Sequence, residues 1–227
     1  MAKRNGKHIA ANTHLLLAVT GMSPQVITET LYAIHRDGQP WPSQLRIITT
    51  AIGRQKVWQS LHEQGHLQAL ANDLGLPAPD FRFADIRVIP DAEGHDVEDA
   101  RSLDDHEALA DFITNEVCAL TTDPSLTIHA SIAGGRKTMT FYLGYAMSLF
   151  GRVQDRLSHV LVSKPYENRP DFFYPTRTTC WLATRDGETE PLDASQAEVT
   201  LADIPFVRQR NMLPAFLQKQ LGTKVRY

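Results

Sequence analysis

The sequence predicts an α/β protein in which helices flank a mostly parallel sheet, with a small β-rich extension at the C-terminal end. Three observations carry this prediction. Apolar runs of strand length alternate with helix-length segments between residues 14 and 163, as in βαβ units. The run at 14–20 is continuously apolar, which is typical of a strand buried on both faces. Residues 126–150 read as strand, glycine turn and helix.

The first predicted strand, residues 14–20, leads directly into the turn GMSPQ and a helix that ends near Gly38. Pro24 suits the first helical position, with Ser23 as its N-cap. Ser23 therefore has two possible roles, helix capping and ligand contact. The residues that this turn offers to a ligand are Thr20, Gly21, Met22, Ser23 and Gln25.

The second predicted strand, residues 45–53, is followed by a helix over 54–74 that opens with the cations Arg54 and Lys56. Ligands of parallel α/β sheets bind at the carboxyl ends of the strands. We therefore weigh two roles for Arg54, a contact in the same crevice and a solvated helix face. A third strand is predicted over 84–90.

A long helix follows, and the pattern from Ser102 to Asp105 predicts a capping box at its start. Arg101 and His106 reproduce the R-x4-H spacing of a class of helical ribonucleases, and Arg152 with His159 imitates it loosely. Short motifs often match by chance, and the first pair falls at a helix start within an alternating βα pattern. We interpret both as coincidence.

The unit at 126–150 organises the chain, because its glycine turn opens a helix that carries two cations. Glycines let backbone N–H groups approach a ligand, and the first helical turn offers unpaired N–H donors. Together these features predict an anion site, with phosphate as the favoured anion. Its predicted contacts are Ala133, Gly134, Gly135, Arg136, Lys137 and Thr138.

A fifth strand is predicted over 157–163, and short β-like stretches follow from residue 171. We predict three parts: a flexible leader over 1–12, the α/β domain over 13–168, and the β-rich extension over 169–227 with a short terminal helix.

Composition limits the function. The net charge of −3 does not suit a protein that coats long nucleic acid, so any polyanion must meet a local cluster. Two cysteines without CxxC spacing suit a reducing cytoplasm. No apolar run reaches the roughly 18 residues of a membrane span. We expect a cytoplasmic protein with no cofactor, no metal and no membrane partner.

Neither common phosphate-binding motif fits the glycine turns. A P-loop needs G-x-x-x-x-G-K-[ST], whereas here Arg136 separates the glycine from Lys137. A dinucleotide fold needs G-x-G-x-x-G after the first strand, where this chain has a single glycine. What remains is a Rossmann-like domain that contacts a ligand with several spaced phosphates from two non-adjacent turns.

The segments VTGMSPQVITETLYAI and SIAGGRKTMTFYLGYAMSLFGRVQDRLSHVLVS resemble the CRISPR-associated Rossmann-fold (CARF) domains, and FFYP and LADIPFVR resemble the same branch. That branch consists of short ring nucleases related to the sensor half of type III effector ribonucleases. The resemblance implies a homodimer that binds cyclic oligoadenylate, favouring the tetra-adenylate over the hexa-adenylate, and that cleaves it to switch signalling off. The helical ribonuclease domain of the full effectors is not expected here.

Cleavage of such a ring needs no metal, because the ligand's 2′-hydroxyl can attack the adjacent phosphorus. We predict Lys137, Ser23 and Arg136 as catalytic residues, with Arg54 and the turn residues as ligand contacts. Two alternatives stay open. The protein could be a non-catalytic sensor of the same ligand, or an unrelated Rossmann-type enzyme that binds a nucleotide at the first glycine turn.

Overall fold

The computed structural model describes residues 13–91, 93–98, 102–184 and 190–214. Its centre is one six-stranded sheet with the order β3-β2-β1-β4-β5-β6. The strands are β1 (Thr13–Val19), β2 (Gln44–Thr49), β3 (Ile86–Val88), β4 (Leu126–Ser131), β5 (Arg156–Val162) and β6 (Val199–Asp203). The first five strands are parallel, and β6 pairs antiparallel with β5. The predicted α/β, Rossmann-like fold with a mostly parallel sheet is confirmed.

Five helices connect or flank the strands in the described ranges. They are α1 (Gln25–Arg36), α2 (Ala51–Trp58), α3 (His66–Leu74), α4 (Leu103–Leu120) and α5 (Lys137–Phe150). In this part of the chain, no helix has the length and apolar character that a membrane crossing requires.

The sheet is covered on both faces. Along β1, Leu16 and Ala18 join a cluster with Ile27 and Leu31 of α1, whereas Leu15, Leu17 and Val19 join a second cluster with α4 and α5. Successive side chains of a strand point to opposite faces. The continuous apolar run of β1 therefore fills two cores, which is why it lacks polar alternation.

The chain order reverses between β1 and β4, which pair side by side with Ala18 opposite Ser131. The connections from these two strands leave toward opposite faces, so a crevice opens at their carboxyl ends. The turns GMSPQ and GGRKT both lie at this edge, directly after the two central strands.

Several element boundaries differ from the sequence prediction. β2 ends at Thr49, and α2 begins at Ala51 rather than at residue 54, since the Thr50 hydroxyl accepts a hydrogen bond from the Gly53 N–H at 3.3 Å. The predicted helix over 54–74 is interrupted at Gly65, which has a φ of +75°. By contrast, the capping box at Ser102 and Asp105 is confirmed.

The C-terminal region has less strand than predicted. Only β6 forms a strand there in the described residues; the stretch over 171–175 forms none, and Trp181 makes an isolated bridge with Asp193. Phe172 and Tyr174 are buried in the same cluster as Leu16. Residues after 169 thus extend the sheet and its core. The predicted boundary between the α/β domain and the β-rich extension at residue 169 stays a prediction. The leader over 1–12 and nearly all of the predicted terminal helix lie outside the described residues.

Candidate functional site

The two glycine turns touch at the switch point of the sheet. A Cβ atom built on Gly21 would lie 3.8 Å from the Cα of Gly135. A Cβ on Gly134 would meet the carbonyl oxygen of Val19 at 3.2 Å and a methyl of Val26 at 3.0 Å. Gly135 has a φ of +86°, which other residues rarely adopt. The glycines therefore allow close backbone packing, and the predicted convergence of the two turns is confirmed.

A cavity of about 800 Å³ opens beside these turns. This volume falls in the upper part of the range for small-molecule sites, about 300–1,000 Å³. Eight of the predicted site residues line it: Gly21, Met22, Ser23, Gln25, Ala133, Gly134, Gly135 and Arg136. Sequence reasoning therefore located the cavity by combining the glycine turns with the rule for strand ends.

Four predicted residues are not among those that line the cavity. Thr20 is fully buried, and its hydroxyl donates to the Ser23 carbonyl at 3.0 Å, which holds the first turn together. Arg54 forms an ion pair with Asp96 and lies over the Phe83 ring, so its contacts are those of a structural residue.

The other two open α5. Lys137 is exposed at the first position of the helix. Thr138 is half-buried, and its hydroxyl oxygen has no hydrogen-bond partner within the described ranges. The roles of all four residues in binding or catalysis stay predictions, and Arg136 is the cation of GGRKT that lines the cavity of a single chain.

The prediction that Ser23 caps α1 through its side chain is wrong. The helix begins at Gln25, Pro24 occupies the cap position, and no side chain caps the helix. The Ser23 carbonyl accepts from the Thr20 hydroxyl and, at 3.4 Å, from the Val26 N–H. Its own hydroxyl makes no hydrogen bond with the residues that the structure describes. This half-buried hydroxyl is thus available to a ligand.

Sequence reasoning missed several cavity residues. Glu29 of α1, His159 of β5 and Lys164 after β5 all line the cavity, as do the exposed carboxylates of Glu98 and Glu167. Lys164 could have been found from the sequence, because it follows the carboxyl end of a predicted strand. Glu29 could also have been found, because it is a charged residue on the core-facing side of a helix, four residues after Gln25.

The net charge of the cavity wall depends on the protonation state of Glu29. Burial raises the pKa of this carboxyl from 4.5 to about 8, so it is mostly neutral at pH 7. Arg136 and Lys164 then stand against two exposed carboxylates, and the first turn of α5 adds backbone N–H donors. The cavity can therefore hold phosphate groups close to these turns.

The remaining titratable candidates have structural roles. His129 is buried, lies 2.7 Å from the Ser158 hydroxyl, and has its pKa lowered by burial to about 4, as expected for a core histidine. Arg152 pairs with the buried Asp155 at 2.8 Å, so its guanidinium is held in a structural ion pair; that its spacing to His159 is a coincidence stays a prediction. Arg101 lies outside the described residues. No group of three potential metal ligands occurs within the described ranges.

A sheet of this order, with two glycine turns meeting at its switch point, defines a Rossmann-like α/β protein with a ligand crevice. The family model of CRISPR-associated protein NE0113 matches residues 23–226. The chain therefore belongs to this family of CRISPR-associated proteins. The predicted CRISPR association is confirmed, and the narrower assignment as a CARF ring nuclease stays a prediction.

Other comparisons add little. A crystal structure from Listeria monocytogenes, provisionally described as a UDP-N-acetylglucosamine 2-epimerase, is similar with 17% identity and a TM-score of 0.31. The match covers 65% of this chain and 31% of that one, and likeness at this level carries no functional argument. No curated protein matches the chain.

Proposed function

We propose that this protein binds a cyclic oligoadenylate, most favourably cyclic tetra-adenylate, in the cavity at the β1/β4 switch point and opens the ring without a metal. The observation that carries the proposal is the contact of the two glycine turns beside the unpaired hydroxyl of Ser23. Membership in a CRISPR-associated family supports a signalling ligand of this class.

The phosphates would lie against the first turn of α5. Backbone N–H groups of a first helical turn have no partner inside the helix, and the helix dipole favours negative charge. Arg136 and Lys164 line the same wall and add charge-assisted hydrogen bonds. Apolar neighbours such as Met139 and Val160 leave room for the bases.

In the proposed reaction the ligand's 2′-oxygen attacks the adjacent phosphorus, the P–O5′ bond breaks, and a 2′,3′-cyclic phosphate forms. The 2′-proton passes to solvent, and the departing 5′-oxygen takes up a proton to become a hydroxyl. Ser23 would align the 2′-hydroxyl by hydrogen bonding. Arg136 and Lys164 would stabilise the charge that develops on the phosphorane oxygens.

A homodimer is part of the proposal. A cyclic ligand with two-fold symmetry fits an isologous axis, where each chain supplies half of the site. Phe141 and Tyr145 of α5 are 62% and 41% exposed, and Leu161, which lines the cavity, is 51% exposed. Exposed apolar side chains on one face of α5 and on the cavity wall suit an interface. Lys137 lies on the same face of α5, four residues before Phe141, and would act at this interface.

A non-catalytic sensor is the second candidate, and the position of Lys137 outside the single-chain cavity favours it. The two functions are separated by incubating the protein with cyclic tetra- and hexa-adenylate in EDTA and resolving the products by chromatography. Linear products ending in a 2′,3′-cyclic phosphate support the ring nuclease. Intact ligand that stays bound supports the sensor, and absence of binding to both rings refutes both candidates.

Variants assign the roles. If Lys137 stabilises transition-state charge, Lys137→Ala slows single-turnover cleavage by about 10²–10³-fold, while affinity falls by only about tenfold. Ser23→Ala also slows cleavage. Lys56→Ala, which removes an exposed cation of α2 outside the cavity lining, is the matched control. An unchanged rate in Lys137→Ala would remove this lysine from the mechanism. Calorimetry should give one ligand per two chains.

A further inference from the structure

Glu29 is a buried carboxyl group on the wall of the ligand cavity. It lies on α1 one helical turn after Gln25, its residue is only 6% exposed, and it lines the cavity together with Ser23 and Gly134. Neither the phosphate contacts nor the cleavage step described above uses it. Because a carboxyl group does not attract phosphate, its place on the cavity wall points to a contact with another part of the ligand.

The Glu29 side chain makes no hydrogen bond and no ion pair with any residue in the described ranges. A buried polar group without a partner costs several kcal/mol when it is ionised, so the neutral acid is favoured. Burial accordingly raises its pKa to about 8, and burial is the sole cause of that shift.

No neighbouring charge provides an alternative explanation. The titratable groups on elements around α1 include Arg136 before α5, Glu98 before α4, His14 of β1, His129 of β4, Arg156 and His159 of β5, Lys164, Tyr166, Glu167 and Arg169 after β5, His66 and Asp73 of α3, and Asp203 of β6. Arg169 pairs with Asp171, Asp73 accepts from the Tyr174 hydroxyl, and Asp203 pairs with Arg156. Glu167 and Glu98 are exposed.

A neutral carboxyl presents an O–H donor beside a C=O acceptor. On its N7 edge adenine presents the complementary pair, the N7 acceptor beside the N6 amino donor, which Asn and Gln side chains also match in two hydrogen bonds. On the same edge guanine has two acceptors, O6 and N7, so a carboxyl that meets this edge cannot make both bonds. Val26 and Val160 line the cavity as well, and an apolar surrounding strengthens such hydrogen bonds.

We propose that Glu29 is the residue that selects adenine, by donating its carboxyl proton to N7 and accepting a hydrogen bond from the N6 amino group. That the base is adenine rests on the proposed function, and the probes are chosen so that the two can fail separately. Adenosine monophosphate and guanosine monophosphate, together with cyclic tetra-adenylate, are therefore the probes of the test.

The test measures affinity by calorimetry at pH 6.5 and pH 9 for the full-length protein and three variants. Glu29→Gln keeps a donor and an acceptor but cannot ionise, and Glu29→Met removes both. Glu63→Gln, at an exposed carboxylate outside the cavity lining, is the control. At pH 9 about a tenth of the Glu29 carboxyls stay protonated, so parent affinity for adenine ligands should fall about tenfold.

Glu29→Gln should bind adenosine monophosphate within a few-fold of the parent at pH 6.5, keep the preference over guanosine monophosphate, and lose the pH dependence. Glu29→Met should lose about tenfold to a hundredfold in affinity at both pH values. Equal losses of affinity in Glu29→Gln and Glu29→Met, or a parent affinity that does not change with pH, would overturn the proposal.

Failure of the proposed function can be distinguished from failure of the proposal for Glu29. Binding of adenosine monophosphate with this pattern, but not of cyclic tetra-adenylate, would refute the proposed function and support Glu29 as the adenine reader. A parent protein that binds neither adenosine monophosphate nor cyclic tetra-adenylate would overturn both proposals.

Discussion

The buried Glu29 carboxyl should make folding stability depend on pH in a direction opposite to that of most acidic residues. Its folded pKa of about 8 lies above the ordinary value of 4.5, so the folded state holds a proton that the unfolded chain releases. The stabilisation is fully present below pH 4.5 and is lost as the pH rises through about 8.

The magnitude follows from the two pKa values. Each pKa unit corresponds to 1.36 kcal/mol, so the complete loss between the two limits is about 5 kcal/mol. Within the practical range from pH 5.5 to pH 8, the loss is about 3 kcal/mol. Since whole domains have about 5–15 kcal/mol of stability, this one side chain should dominate the alkaline limb of the stability profile.

Urea unfolding of the parent and of Glu29→Gln at half-unit steps between pH 5.5 and pH 8 measures the effect. The difference between the two unfolding free energies should change by about 3 kcal/mol in favour of the variant as the pH rises. Glu167→Gln, at an exposed position of the same cavity, should stay within about 0.5 kcal/mol of the parent throughout. Parallel curves for parent and Glu29→Gln would refute the burial argument.

Three further predictions concern stability. Burial lowers the pKa of His129 from 6.5 to about 4, so the parent should lose about 3 kcal/mol as the pH falls between these values; His129→Gln should abolish that acid limb in urea titrations. Gly134→Ala should cost about 1–3 kcal/mol in thermal unfolding, because its Cβ would press on the Val19 carbonyl at 3.2 Å; an unchanged midpoint would contradict the close packing. Asp155→Ala should cost about 3–5 kcal/mol in urea unfolding, since it leaves the Arg152 guanidinium, only 12% exposed, without its carboxylate; a loss below 1 kcal/mol would show that the pair is not buried in solution.

The sequence by itself determined the local units and the place where they meet. The strand–glycine turn–helix pattern depends on residues close together in the chain, as does the capping box at Ser102, so periodicity and turn chemistry were enough to predict them. The convergence of Gly21 and Gly135 also followed, because parallel strands present their carboxyl ends at one edge of a sheet.

Only the tertiary structure decided which side chains face the cavity. In the sequence Ser23 has the position of a helix cap, yet its hydroxyl does not cap α1, because the helix begins at Gln25 and Pro24 occupies the cap position. Lys137 and Arg136 are neighbours in the chain, but Arg136 alone lines the cavity. Glu29 acquires its raised pKa from burial, and it lines the cavity beside residues more than a hundred positions away, such as Gly134 and Val160. Exposure, partners and charge state depend on that long-range packing, which no local pattern encodes.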